Sequence, residues 1–182
     1  MTRNAVLLMD LQHDFLGAEG SCMPVEPDSI APVIDTANAI LQKEILKDAL
    51  PVLVVNQFPE SDRIGNFFRR GAAVAGTRGA GLDSRVRCDA SVKVIAKASA
   101  SAFTNPELDR YLRAENITDL YVMGVFAEGC VRGTVLDARR HGYAVHVLAD
   151  AVASNASWKK RFGLWAMKRA GADILPSLPV PR

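Results

Sequence analysis

Cysteine and histidine are scarce in this chain, three of each in 182 residues, and the scarcity excludes several kinds of protein. Cys22, Cys88 and Cys130 are odd in number and widely spaced, so they form neither a disulfide framework nor a zinc-ligand pattern. No run approaches the roughly 18 apolar residues of a membrane span, and residues 1–4 lead straight toward a strand, without a basic start, apolar stretch and cleavage site. Charge of one sign is lacking too. The net of +2 from 22 basic and 20 acidic side chains gives no argument for nucleic acid or a membrane surface as a partner. Neither a GxGxxG after the first apolar run nor a GxxxxGKS/T anywhere is present, which argues against the usual dinucleotide and NTP sites and for no cofactor. What remains is a globular composition, 49% hydrophobic and 23% charged, of a length suited to one α/β domain over 1–182. A soluble cytoplasmic protein acting on a small molecule is expected.

The most informative stretch is 120–150, LYVMGVFAEGCVRGTVLDARRHGYAVHVLAD. An apolar run ends at Gly124, a helix is predicted over about 131–141, Gly142 stops it, and a second apolar run follows from Ala144. Val131, Thr134, Val135 and Ala138 share one helical face. This is a βαβ unit, which implies a parallel sheet and a right-handed crossover. Cys130 falls where the turn becomes the helix. Unpaired N–H groups and the dipole there favour a thiolate, so a lowered thiol pKa is expected. A small buried apolar residue is the plainer reading of the same cysteine.

The rest of the chain repeats the alternation. AVLLM at 5–9 is a continuous apolar run ending in Asp10, a strand buried on both faces. A helix capped by Asp28 or Ser29 should run to about Lys47, followed by a strand over 51–56. Residues 60–90, rich in glycine and arginine, read as a long loop or short helices, a candidate lid or binding loop. A third strand, 92–97, ends in Lys97. Thr104 has capping-box spacing with Glu107 ahead of the next helix. A last helix carries Trp158, Phe162 and Trp165, and a short strand at 173–175 precedes a tail containing proline. Six strands alternating with helices predict a three-layer α/β/α, doubly wound, mostly parallel sheet.

Asp10, Lys97 and Cys130 all stand at or just past the carboxyl ends of strands, the edge where open α/β sheets place their ligands. An aspartate can take a thiol proton, and a lysine can stabilise both the carboxylate and the thiolate. With this constellation on the page, the chain resembles the isochorismatase-like cysteine hydrolases, a superfamily that includes nicotinamidases, N-carbamoylsarcosine amidases and isochorismatases. The resemblance rests on Asp10, Gln12, Asp14 and Phe15, and on Lys97 followed by Ser101, Ala102 and Phe103. It rests further on Gly124-Val125 ahead of Cys130-Val131, then Thr134, Ala138, Gly142-Tyr143 and Asp150-Ala151.

The resemblance implies a Rossmann-like sheet in the order 3-2-1-4-5-6 and a catalytic triad of Asp10, Lys97 and Cys130. It also implies a non-proline cis peptide at Val125-Phe126, oxyanion donors on Phe126 and Cys130, and a homodimer or homotetramer, with 60–90 and the Trp158 helix in contact regions. Lys97 would then have to lean across the second strand, roughly 10 Å. The chain departs from the family pattern at Ala127, where many members have threonine, and at His13, where asparagine is frequent. It departs again after the second strand, where nicotinamidases carry metal-binding histidines. Here the segment is Asn56-Gln57-Phe58-Pro59-Glu60, and no histidine lies between His13 and His141. The expectation is no metal, and a pocket lined by Phe15, Gln57, Phe58, Phe103 and Phe126. The function expected is thioester-forming cleavage of a C–N bond in a small amide, ureido or carbamoyl compound. A vinyl-ether hydrolase and a non-catalytic subunit are the alternatives.

Overall fold

The computed structural model describes residues 3–17 and 20–176; the tail beyond them, with its expected prolines, lies outside the described residues. The apolar runs become β1 (Asn4–Met9), β2 (Leu50–Asn56), β3 (Lys93–Lys97), β4 (Asp119–Val125), β5 (Ala144–Ala153) and β6 (Asp173–Leu175). Between them lie α1 (Ile30–Leu41), α2 (Arg63–Phe68), α3 (Pro106–Ala114), α4 (Arg132–Arg140) and α5 (Ser157–Arg169). The strands form one six-stranded sheet in the order β3-β2-β1-β4-β5-β6, every neighbouring pair parallel. Residues 5–9 and most of β4 are fully buried because helices cover both faces of the sheet. Val6, Leu8, Met123 and Leu148 pack into one core cluster; Ala5, Leu7, Met9 and Val122 pack into a second. Successive strand residues thus feed opposite layers. Among the described residues no helix is long and apolar enough to cross a membrane.

The register explains where the site forms. Met9 pairs with both Val54 and Gly124, and Asn56 pairs with Lys97, so β1 to β4 end along one edge.

Element ends differ from the sequence reading for local reasons. The helix expected to reach Lys47 stops at Leu41, where Gln42 and Lys43 close it through bonds to Asn38 O and Ile40 O, with Lys43 at φ 57°. Ser29 starts α1 without a side-chain cap. Asn105, not Thr104, caps α3: its side chain accepts from Glu107 N at 2.9 Å, while Thr104 Oγ1 donates to Ser101 O. α5 receives its cap from far away in the chain, since the Glu26 carboxylate accepts from Ser157 N at 3.0 Å. A negative group at a helix start satisfies an otherwise unpaired N–H and opposes the dipole.

The 60–90 segment is short helices tied down by buried polar groups of the β1–α1 connection. Asp14 Oδ2 accepts from Ala73 N at 2.9 Å, and Asp14 N donates to Gly79 O. A Cβ on Gly79 would sit 1.9 Å from the Asp14 carboxylate, so only glycine fits there. Gln12 Nε2 donates to both Ala80 O and Asn56 O, and Gln12 Oε1 accepts from Asn56 N. Two arginines of the segment are engaged locally: Arg69 with Asp62 and over the Phe58 ring, Arg85 with Asp83.

Candidate active site

Asp10 follows the last residue of β1 with φ 55°, a left-handed conformation that aspartate tolerates better than most side chains. Its N–H donates to Val54 O at 2.8 Å, which anchors the turn to β2. β4 approaches closely on the other side. A Cβ on Gly124 would lie 2.1 Å from Met9 O, so the glycine lets β1 and β4 meet at this edge.

Lys97 does reach across β2. Its Nζ lies 3.0 Å from Asp10 Oδ2 and 3.2 Å from Cys130 Sγ, and it donates to Ser99 O at 3.0 Å. The residue it crosses is Asn56, whose Oδ1 accepts from Nζ at 2.6 Å and whose Nδ2 is 3.6 Å from Cys130 Sγ. Asp10, Asn56 and Lys97 are each buried. Asp10 Oδ1 is buried and has no hydrogen-bond partner.

Cys130 does not occupy the first turn of a regular α-helix. It lies in a wide π-type turn, Ala127–Val131, that precedes α4, with Gly129 at non-helical angles. Gly129 N and Val131 N donate to Phe126 O at 3.0 and 3.1 Å, which closes the turn. The peptide bond Val125-Phe126 is cis. α5 braces the turn from outside through Gly163, where a Cβ would meet Ala127 C and O at 2.6 Å.

The expected lowering of the thiol pKa is corrected by these surroundings. Burial and the Asp10 carboxylate push the Cys130 thiol up to about 12, against the pull of Lys97. Burial also raises Asp10, with Lys97 opposing. Burial would lower Lys97, but Asp10 and Cys130 more than offset it and hold the ammonium above its ordinary range. Lys97 and Asp10 thus face each other as a buried pair 3.0 Å apart, beside the Cys130 sulfur.

Of the aromatic residues expected to line the pocket, Phe15 and Phe126 meet edge to face at 5.5 Å, and Phe58 shares their core cluster. Gln57 follows β2, its Nε2 donating to Ala80 O at 3.4 Å. Phe103 is elsewhere. Its ring lies over His141 and Tyr143 at the far end of α4, because those flat side chains offer it a stacking surface. Asn56 is the site residue that the sequence reading missed as such. Its signal was its place at the carboxyl end of β2, on the same edge as the three reactive groups.

The family model for the isochorismatase domain matches residues 4–177. A probable inactive nicotinamidase of Arabidopsis thaliana is 33% identical over 162 residues, covering 82% of this chain and 80% of its own. The nicotinamidase of Escherichia coli is 28% identical, covering 82% of this chain and 83% of its own. Among solved structures, an isochorismatase-like hydrolase from Alkaliphilus metalliredigens superposes with a TM-score of 0.86 at 25% identity, over 96% of this chain and 95% of that one. A pyrazinamidase of Pyrococcus horikoshii in complex with zinc gives 0.83 at 31% identity, over 96% and 99%. The donor set of this chain does not fit such an ion. Residues 56–60 offer no imidazole, Asn56 is engaged with Lys97 and Cys130, and among the described residues no three His, Cys, Asp or Glu side chains converge. Motif, fold and site geometry agree with the family match: this chain belongs to the isochorismatase family of hydrolases.

Proposed function

We propose that the chain is a metal-independent cysteine hydrolase that cleaves a C–N bond of a small amide, ureido or carbamoyl compound. The observation that carries this reading is the half-buried Cys130 Sγ beside the buried Lys97 and Asp10, with contacts of 3.2 Å from Lys97 Nζ to the sulfur and 3.0 Å to the carboxylate, and one carboxylate oxygen left unpartnered. Asp10 takes the thiol proton as the sulfur attacks the carbonyl carbon. Lys97 stays protonated and balances the negative charge passing from carboxylate to sulfur. The amides of Phe126 and Cys130 hold the oxyanion, Asp10 returns its proton to the leaving nitrogen, and a thioester remains on Cys130. Water, losing a proton to Asp10, hydrolyses that thioester. Phe15, Phe58 and Phe126 supply an apolar wall, with Gln57 at its border.

Amidase relatives support the class of reaction, an N-carbamoylsarcosine amidase of Arthrobacter among them at 30% identity over 51% of this chain. The Arabidopsis relative favours the non-catalytic reading, which the intact cluster opposes. A screen of amides and ureides against wild type and Cys130→Ala tests the proposal. Turnover that the variant loses is expected, and turnover that it keeps ends the idea.

The expected self-association is supported by two apolar faces, Ile64, Phe67 and Phe68 on α2 and Trp158, Phe162 and Trp165 on α5, each side chain 45% exposed or more. Light scattering is expected to give at least twice the mass of one 19.7 kDa chain; a monomer mass would contradict it.

A further inference from the structure

We infer that Asn56 is a positioning residue of the Cys130 nucleophile: its amide oxygen holds the Lys97 ammonium, and its Nδ2–H is aimed at the sulfur. The inference deepens the cysteine-hydrolase reading and rests on it.

The orientation of the amide follows from chemistry. An ammonium has donors only, so the atom 2.6 Å from Lys97 Nζ must be the carbonyl oxygen. That leaves the NH2 group facing Cys130 Sγ at 3.6 Å. The backbone beneath it is clamped on both sides by Gln12, which accepts from Asn56 N at 2.8 Å and donates to Asn56 O at 2.8 Å. β2 ends here, and its strand alternation turns Asn56 toward the sulfur. The residue is 2% exposed, so water does not compete for its amide. A neutral N–H donor suits this place. It stabilises the sulfur anion without adding a charge between Asp10 and Lys97, the charged groups that act on Cys130 from β1 and β3. A purely structural asparagine would satisfy the strand end and leave the thiol indifferent to its identity.

The test uses the Cys22→Ser/Cys88→Ser background and follows alkylation of Cys130 by iodoacetamide against pH, without substrate. In Asn56→Asp the donor becomes a second carboxylate of nearly the same shape, and in Asn56→Leu it is lost. Each variant should alkylate about 10- to 100-fold more slowly than the parent at every pH from 7 to 9, the whole profile shifted down by the size expected for losing one charge-assisted hydrogen bond. On any substrate found, kcat should fall by a similar factor with KM nearly held. A folded Asn56→Asp variant whose alkylation profile matches the parent overturns the inference; if the Asn56→Asp substitution prevents folding, the leucine variant decides it by the same criterion. Loss of the profile shift alongside a dead Cys130→Ala enzyme would remove the Asn56 role alone. A shifted profile alongside an active Cys130→Ala enzyme would remove the hydrolase reading alone.

Discussion

Lys97→Met is expected to abolish turnover and to destabilise the fold by about 3–5 kcal/mol, the usual cost of leaving one partner of a buried ion pair behind. Both side chains of the Lys97–Asp10 pair are essentially inaccessible to solvent, and their contact is 3.0 Å. Without the ammonium, the largest influence opposing burial is gone, and the Asp10 carboxyl is driven further up from an already raised value. A protonated Asp10 cannot accept the thiol proton. The stability deficit then has a definite pH dependence. A carboxyl raised in the folded state binds more protons there than in the unfolded chain, so stability falls as pH rises through the unfolded value near 3.9. The deficit should be smallest in acid and largest at neutral pH, measured by urea titration at several pH values. Adding Asp10→Asn to Lys97→Met should restore much of the stability and none of the activity. Equal deficits at pH 4 and pH 7 would contradict the buried-pair account.

Gly163→Ala is the second large effect, and its sign is informative. In an ordinary helix interior alanine is more stable than glycine by about 0.5–1 kcal/mol. Here the added methyl would lie 2.6 Å from the carbonyl of Ala127 and 2.8 Å from Glu128 N, backbone atoms of the turn carrying Cys130 that cannot rotate away. The variant should therefore lose about 1–3 kcal/mol, the range for overpacking a close contact. It should also lose more activity than stability, since moving α5 outward lets the turn carrying Cys130 shift. Thermal unfolding and kcat measured together check this. A variant as stable and as active as wild type would show that α5 does not brace the turn.

The sheet was legible because 5–9, 52–55 and 120–123 are unbroken apolar runs, as strands of a parallel sheet covered on both faces are. Asp10, Lys97 and Cys130 stood out because each is a reactive residue at a strand's carboxyl end. Asn56 occupies the same kind of position, but an amide does not titrate and draws no notice until Lys97 is seen leaning over it. The 60–90 segment was opaque for another reason. Its shape depends on Gln12 and Asp14, some 60 residues away, and no local pattern encodes those bonds. The helix-start reading of Cys130 gave the wrong direction for its pKa, because burial and the neighbouring carboxylate outweigh a helix end that the π-type turn displaces. Phe103 went astray for want of its partners, which lie at 141 and 143.

The most direct test of the account is mass spectrometry of acid-quenched enzyme during turnover of an amide or ureide found by screening. The account predicts an acyl mass on the peptide containing Cys130, decaying as product forms and absent from Cys130→Ala. Steady turnover with unmodified Cys130, matched by the alanine variant, would contradict it.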